Sequence, residues 1–237
     1  MELLQVQGIG KSYRQGELEV RALTGIDITV KEGEFAALVG PSGSGKTTLL
    51  NIIGGLDAPS EGKVLVNGKE ITAMPEAVLS SFRLFELGFI FQAYNLVAVL
   101  TALENVELVM VLQGRPERER RERARHYLEL VGLGKVMDRR PSALSGGQQQ
   151  RVAVARALAA GPRLVLADEP TANLDSENAT ALLDIMYKLS KEEKTTFLFS
   201  THDARVMERA QRIITLRDGR IESDERREQS SHARALA

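Results

Sequence analysis

The stretch Gly40-Pro41-Ser42-Gly43-Ser44-Gly45-Lys46-Thr47 decides the fold class, because it fits the pattern G-x-x-x-x-G-K-[ST] in full. The continuous apolar run Phe35–Val39 stands before it and predicts a buried central strand. The residues from Thr47 to Ile53 predict a helix. Glycines let several backbone N–H groups converge on one anion, and the positive end of the following helix is directed at the same point. Strand, loop and helix together predict a phosphate-binding loop.

The residues at the end of the motif supply its chemistry. Lys46 is expected to place its ammonium on the β- and γ-phosphates of a nucleotide, and Thr47 to offer its hydroxyl to Mg²⁺. Thr48 follows in the same helical turn, and we count it with the binding residues. A chance glycine-rich turn is the alternative, but it would not require a buried strand before it and a helix after it. We therefore interpret the motif as nucleotide-binding.

Length and composition set the limits for the rest of the chain. The 237 residues, of which 43% are hydrophobic and 27% charged, fit one large α/β domain or two small ones. The net charge of −1 gives no global basic field, so we expect no nucleic-acid partner. The lack of cysteine excludes disulfides and cysteine metal sites. Without a signal-peptide pattern or a run of roughly 18 apolar residues, we expect a soluble protein that reaches a membrane only through a partner.

Strand and helix patterns alternate on either side of a helical middle. Such alternation predicts a largely parallel sheet flanked by helices. The predicted strands are Ile26–Val30, Phe35–Val39, Lys63–Val66, Arg163–Ala167, Thr196–Ser200 and Arg212–Leu216. A helix is predicted over Asn178–Lys191. We expect one domain over residues 1–222, a helical subdomain inserted at about 93–158, and a flexible tail over 223–237.

A pair of acids ends the apolar run Leu164–Ala167. Ligands bind at the carboxyl ends of parallel strands, which is where Asp168 and Glu169 would stand. Asp168 would hold Mg²⁺ through its water shell, and Glu169 would polarise an attacking water molecule. An ordinary strand followed by an acidic turn is the alternative. The phosphate-binding loop upstream favours the catalytic interpretation.

The segment Leu144-Ser145-Gly146-Gly147-Gln148 predicts a second anion site. Ser145 is a good N-cap, and the two glycines leave the backbone bare at the positive end of a helix that runs to about Ala159. One nucleotide does not obviously need both anion sites from the same molecule. We therefore expect this segment to grip the γ-phosphate of a nucleotide held by another copy.

Taken in order, these motifs resemble those of the ABC ATPase family, and the resemblance covers about Leu3 to Glu222. It implies an α/β fold with a P-loop NTPase (RecA-like) core and a parallel sheet, an N-terminal antiparallel β subdomain and an inserted α-helical subdomain. It also implies ATP hydrolysis with Mg²⁺, in a homodimer that holds two ATPs head to tail. Ser145, Gly146, Gly147 and Gln148, with Asp175 of the D-loop, would then bind ATP across the dimer.

The resemblance assigns roles to three further residues. Tyr13 matches the aromatic that stacks on adenine, and Gln92 matches the Q-loop glutamine that reaches Mg²⁺ and senses the membrane partner. His202 matches the switch histidine that contacts the γ-phosphate and acts with Glu169 in catalysis. Taken singly, Tyr13 is also typical of a surface aromatic, and His202 of a polar loop.

The resemblance also implies partners and a place in the cell. Integral-membrane permease subunits would bind the chain at the cytoplasmic side of the inner membrane. The segment 166–176 is most similar to the group that serves lipoprotein release, macrolide-type export and cell division, although Ala172 stands where that group usually has Gly. A regulator of an envelope or cell-division partner that moves no cargo is the alternative. Soluble ABC ATPases of translation or repair are disfavoured, because this chain has neither two cassettes nor a long coiled coil.

Overall fold

The computed structural model describes residues 1–16 and 18–227, and ten strands and seven α-helices lie within them. The strands are β1 (Glu2–Gln15), β2 (Leu18–Lys31), β3 (Phe35–Val39), β4 (Glu61–Val66), β5 (Lys69–Glu70), β6 (Leu87–Ile90), β7 (Leu164–Asp168), β8 (Thr196–Thr201), β9 (Arg212–Arg217) and β10 (Arg220–Arg226). The helices are α1 (Lys46–Ile53), α2 (Glu76–Glu86), α3 (Ala102–Leu112), α4 (Glu117–Leu130), α5 (Gly146–Ala159), α6 (Ser176–Glu192) and α7 (Ala204–Arg209). Every strand predicted from the sequence is present.

A six-stranded sheet in the order β10-β9-β3-β8-β7-β6 forms the centre of the fold. Strand β3 pairs in parallel with β8 and β9, and β7 pairs in parallel with β8 and β6. Only β10 runs antiparallel to its neighbour, β9. A second sheet, β2-β1-β4-β5, is antiparallel throughout. The predicted combination of a parallel core sheet and an N-terminal antiparallel subdomain is confirmed.

The side chains of β3 divide between two hydrophobic cores. Phe35, Ala37 and Val39 pack in the core that holds α3, α4, α5 and α6. Ala36 and Leu38 pack in the core that holds α1 and the antiparallel sheet. Successive side chains of a strand point to opposite faces, so both faces of β3 must be apolar. This explains the unbroken apolar run before the phosphate-binding loop.

The helical subdomain differs in detail from the prediction over 93–158. Regular helix begins only at Ala102, where Thr101 and Glu104 form a capping box, and the buried side chain of Asn105 bonds to the loop before it. Helix α2 and strand β6 were not predicted. Along α4, Arg118 and Glu122 form an i,i+4 ion pair, at 3.0 Å. None of the helices in the described ranges has the length and apolar character needed to span a membrane.

Strand β10 continues to Arg226, four residues beyond the domain end predicted at residue 222. Ser223 to Arg226 pair with β9, and Asp224 accepts two hydrogen bonds from Arg212, both at 2.6 Å. Arg212 is only 5% exposed, so its charge needs this partner. The remainder of the predicted tail, residues 228–237, lies outside the described residues.

We expect Asp224→Asn to lower the free energy of unfolding by about 1–2 kcal/mol at neutral pH, because it weakens a charge-assisted bond to a buried guanidinium. The Arg212 hydrogen bonds hold the pKa of Asp224 below its usual range. A depressed folded-state pKa gives stability that is present above the unfolded-state pKa and is lost as pH falls through the folded-state value. Urea unfolding of both proteins should therefore show a difference at neutral pH that shrinks below about pH 4. A difference that stayed constant with pH would contradict this account.

Candidate active site

The loop between β3 and α1 has the backbone geometry of an anion cradle. Gly40, Gly43 and Gly45 have φ angles of 152°, 79° and 101°. Residues that carry a Cβ atom rarely adopt such positive φ angles. A Cβ atom on Gly40 would lie 2.1 Å from the carbonyl oxygen of Leu216, and one on Gly45 would lie 2.9 Å from that of Ala22. The surrounding backbone therefore requires glycine at both positions.

Two polar side chains of the cradle lie almost out of solvent. Lys46 is 7% exposed, and its Nζ donates to the carbonyl oxygens of Gly40 at 2.8 Å and Pro41 at 2.9 Å. Ser44 is 3% exposed, and its hydroxyl has no hydrogen-bond partner among the described residues. A buried hydroxyl without a partner is costly unless a ligand supplies one. The donors around the loop therefore fit a bound anion such as phosphate.

A carboxylate and two hydroxyls meet beside the cradle. The register of β7 and β8 places Asp168 opposite Ser200, whose hydroxyl donates to Asp168 Oδ1. The Thr47 hydroxyl, in the first turn of α1, donates to the same oxygen at 3.1 Å. The parallel sheet thus brings together two residues that are 121 positions apart in sequence.

Glu169 and His202 form the second polar pair of the site. His202 Nδ1 and Glu169 Oε1 are 2.9 Å apart, which is hydrogen-bond distance. Glu169 has a φ of 46°, unusual for a residue other than glycine, and its N–H donates to the Ser200 carbonyl oxygen at 3.0 Å. The carboxylate is 16% exposed and the imidazole 71% exposed. The strained turn therefore holds the carboxylate at the floor of the site and leaves the histidine accessible.

The loops that carry this pair are fixed to each other. Thr171 Oγ1 donates to Asp203 Oδ2 at 2.9 Å, and Arg205 also binds the Asp203 carboxylate. Partial burial raises the pKa of Asp203, but the Arg205 and Thr171 hydrogen bonds outweigh burial and hold the pKa below its usual range. The charged Asp203 thus bridges the segment after Glu169 and the segment after His202.

A cavity of about 690 Å³ opens over the cradle. It is lined by Ala22, Ser42, Gly43, Gly45, Lys46, Thr47, Thr48, Gln92, Glu169, Ala172 and His202. Gln92 enters from the loop after β6, and its carbonyl oxygen accepts a hydrogen bond from Asn173 Nδ2 at 3.0 Å. The cavity therefore joins the predicted phosphate loop, Q-loop residue and catalytic pair in one space.

Several predicted residues do not line this cavity. Gly40, Pro41, Ser44 and Asp168 lie within two positions in sequence of residues that do, whereas two further groups lie elsewhere on the chain. The segment Ser145–Gln148 begins α5, where Ser145 and Gln148 form a capping box, and Asp175 caps α6 by accepting a hydrogen bond from the Asn178 N–H at 2.9 Å. Tyr13 lies on β1 and is 41% exposed. The predicted second anion site therefore lies outside the cavity over the chain's own phosphate cradle.

Sequence reasoning missed Ser200 and Ala22 in the site. Ser200 contacts Asp168 because of the β7–β8 register, and Ala22 lines the cavity because β2 passes beside the loop. Neither residue was given a role by a motif. The one available signal for Ser200 was its place at the end of a predicted strand, two residues before His202.

Comparisons with known proteins agree with this geometry. The family model described as ABC transporter matches residues 23–172. The lipoprotein-releasing system ATP-binding protein LolD of Anaeromyxobacter dehalogenans is 47% identical over 93% of this chain and 93% of its own length. The macrolide export ATP-binding/permease protein MacB of Azoarcus sp. is 48% identical over 94% of this chain, but the match spans only 34% of MacB.

A solved structure shares the whole fold. It is the dimeric post-hydrolysis state of the ATP-binding cassette MJ0796 bound to ADP and Pi, with a TM-score of 0.88 and 42% identity over 94% of this chain and 98% of that chain. The chain therefore belongs to the ABC transporter family of ATP-binding proteins. The resemblance inferred from the motifs is confirmed, and with it the chain's class as an ATPase that powers transport.

We expect Gly45→Ala to destabilise the protein more than Gly43→Ala. Both substitutions place a Cβ at a positive φ, which costs about 1–2 kcal/mol. Only at Gly45 does the new atom also press on Leu23 Cδ2 and the Ala22 carbonyl oxygen, at 2.7 and 2.9 Å, whereas the space at Gly43 is open. Urea unfolding of the two variants measures the difference, and equal losses of stability would contradict the steric account.

Proposed function

We propose that this chain powers a release- or export-type transporter by hydrolysing ATP at the cavity over the cradle, and that a separate membrane permease receives the motion. The observation that carries the proposal is the Glu169–His202 pair, at 2.9 Å, in the same cavity as Lys46 and Thr47. The near full-length match to LolD supports the assignment to the release and export group of the family. It also supports a permease on another polypeptide.

The cradle binds the triphosphate in this proposal. Backbone N–H groups of residues 40–45 and the start of α1 face the phosphates, and Lys46 adds a positive charge. Glu169 accepts a hydrogen bond from the attacking water and orients it in line with the γ-phosphate. His202 is bonded to Glu169, and in this proposal it contacts the γ-phosphate and keeps the carboxylate in place. Positioning and charge stabilisation supply most of the catalysis.

The oxygen donors beside the cradle fit Mg²⁺. This ion is held by one or two carboxylates, hydroxyls, water and the substrate's phosphates, not by a closed protein cage. Thr47 and Asp168 offer such oxygens next to each other, with Gln92 lining the same cavity, and the described residues hold no cluster of three or more His, Asp or Glu. When bound, Mg²⁺ would neutralise phosphate charge. Asp168 would hold it through water, oriented by the Ser200 hydroxyl.

A second copy of the chain completes the site in this proposal. Ser145 to Gln148 lie outside the chain's own cavity, at the start of α5, where bare N–H groups suit a phosphate. The related cassette bound to ADP and Pi is dimeric, which supports the same assembly here. Asp175 of each copy then approaches the partner's nucleotide, and the dimer works at the cytoplasmic side of the inner membrane against its permease.

We expect Glu169→Gln to retain ATP binding and to form an ATP-dependent dimer, while turnover falls at least about a hundredfold, because the amide cannot act as the base. Phosphate release measures turnover, and size-exclusion chromatography with and without ATP measures the dimer. Glu129→Gln, an exposed change of the same chemistry on α4, is the matched control and should keep wild-type turnover. Hydrolysis at the wild-type rate by Glu169→Gln would falsify the assignment of the base.

A further inference from the structure

A polar cluster outside the cavity holds the side chain of Tyr13. Its hydroxyl donates to Asp57 Oδ2 at 2.7 Å, and Lys11 Nζ donates to Asp57 Oδ1 at 2.6 Å. Lys11 Nζ also donates to the Ala58 carbonyl oxygen at 2.6 Å and lies 4.7 Å from the centroid of the Tyr13 ring. The tyrosine is therefore held at its hydroxyl by a carboxylate and at its ring by an ammonium.

The charges of the cluster favour this arrangement. Partial burial raises the pKa of Asp57, but the hydrogen bonds from Lys11 and Tyr13 outweigh burial and hold the pKa below its usual range. Burial, with the hydrogen bond to Asp57, raises the pKa of the Tyr13 phenol. At neutral pH the tyrosine is thus a neutral donor and the aspartate a charged acceptor, which makes a strong hydrogen bond.

The cluster leaves part of the tyrosine side chain open to solvent. The side chain of Lys11 is only 11% exposed, so the ammonium lies on the protein side of the ring. Tyr13 itself is 41% exposed, so part of its side chain stays open to solvent although Lys11 lies over the ring. An aromatic side chain that is held in place and partly exposed suits stacking by a flat base.

Asp57 also connects the tyrosine to the phosphate cradle. The N–H groups of Leu56 and Asp57 donate to the carbonyl oxygen of Asn51 in α1, at 2.8 and 3.3 Å. The same helix begins at Lys46, in the cradle. The position of the ring is thus fixed relative to the residues that bind phosphate.

We propose that Asp57, together with Lys11, is a positioning residue that sets the place of the Tyr13 ring for adenine stacking. This inference rests on the proposed function, ATP bound at the cradle, and on the role that the family resemblance gives Tyr13, which is to stack on adenine. The cluster governs affinity for the base and leaves the hydrolytic step unchanged, because it touches neither Glu169 nor His202.

The test compares Asp57→Ala and Tyr13→Phe with the wild-type chain. Both remove the tyrosine–carboxylate bond, so we expect each to raise the KM for ATP about three- to tenfold and to change kcat less than about twofold. Inorganic tripolyphosphate, which has the phosphates but no base, should inhibit all three proteins with the same inhibition constant. Asp57→Asn keeps an acceptor for Tyr13 and should fall between wild type and Asp57→Ala.

Two controls make the outcome decisive. The double variant Asp57→Ala/Tyr13→Phe should show a KM no higher than the worse single variant, because both changes break one interaction. Glu61→Ala removes the nearby ion pair with Arg21 and should leave the KM unchanged. If Asp57→Ala does not fold, Tyr13→Phe carries the test.

The proposal is overturned if both single variants keep the wild-type KM. It is also overturned if the tripolyphosphate inhibition constant rises in step with the KM, which would show that Asp57 supports the cradle as a whole. Failure of the proposed function would give a different result. Glu169→Gln would then hydrolyse ATP at the wild-type rate, whatever the KM for ATP and the tripolyphosphate inhibition constant of the Asp57 and Tyr13 variants.

Discussion

The parallel pairing of β3, β8 and β7 is the constraint on which the site depends. The register sets Val39 opposite Thr201 and Asp168 opposite Ser200, so three strands end at the same edge of the sheet. Groups that follow these strands then lie within hydrogen-bond distance, as Thr47, Asp168 and Ser200 do. A shift of one residue between any two of these strands would turn the side chains to opposite faces and separate the site.

Hydrogen bonds offset the backbone strain at this edge of the sheet. A non-glycine residue in the left-handed region costs about 1–2 kcal/mol, and Glu169 adopts this conformation. The N–H of Glu169 is held by the Ser200 carbonyl oxygen, and Thr171 is held by Asp203. These contacts keep the carboxylate in one orientation before substrate binds, which is what a group that positions water requires.

The sequence predicted those features that depend on local pattern and known motifs. The strands and the phosphate loop were visible because apolar runs and glycine spacing are local signals. Strand β6 was missed because it has only four residues, including Gly88, and the loop after it was predicted helical. In that loop Tyr94 and Asn95 have positive φ and are held by Arg156 of α5, a contact between distant segments. No local pattern could have shown it.

Single contacts between residues far apart in the sequence could not be predicted either. The extension of β10 depends on Arg212 finding Asp224 across a strand pair, and the seating of Tyr13 depends on Asp57, 44 residues further along the chain. Charge pairs of this kind follow from the fold and cannot be read before the fold is known. Motifs therefore predicted the candidate nucleotide-binding residues, whereas the residues that hold them in place emerged only from the structure.

The division of β3 between two cores has an evolutionary consequence. Because alternate side chains of one strand pack in separate cores, substitutions in α3 and α4 need not disturb the packing beneath α1. Glu169 and His202, the proposed catalytic pair, belong to neither core, since they follow the ends of β7 and β8. Sequence change in α3 and α4 is therefore compatible with an unchanged catalytic pair, whereas α5 and α6 are constrained by Ser145 and Asp175 at their first turns.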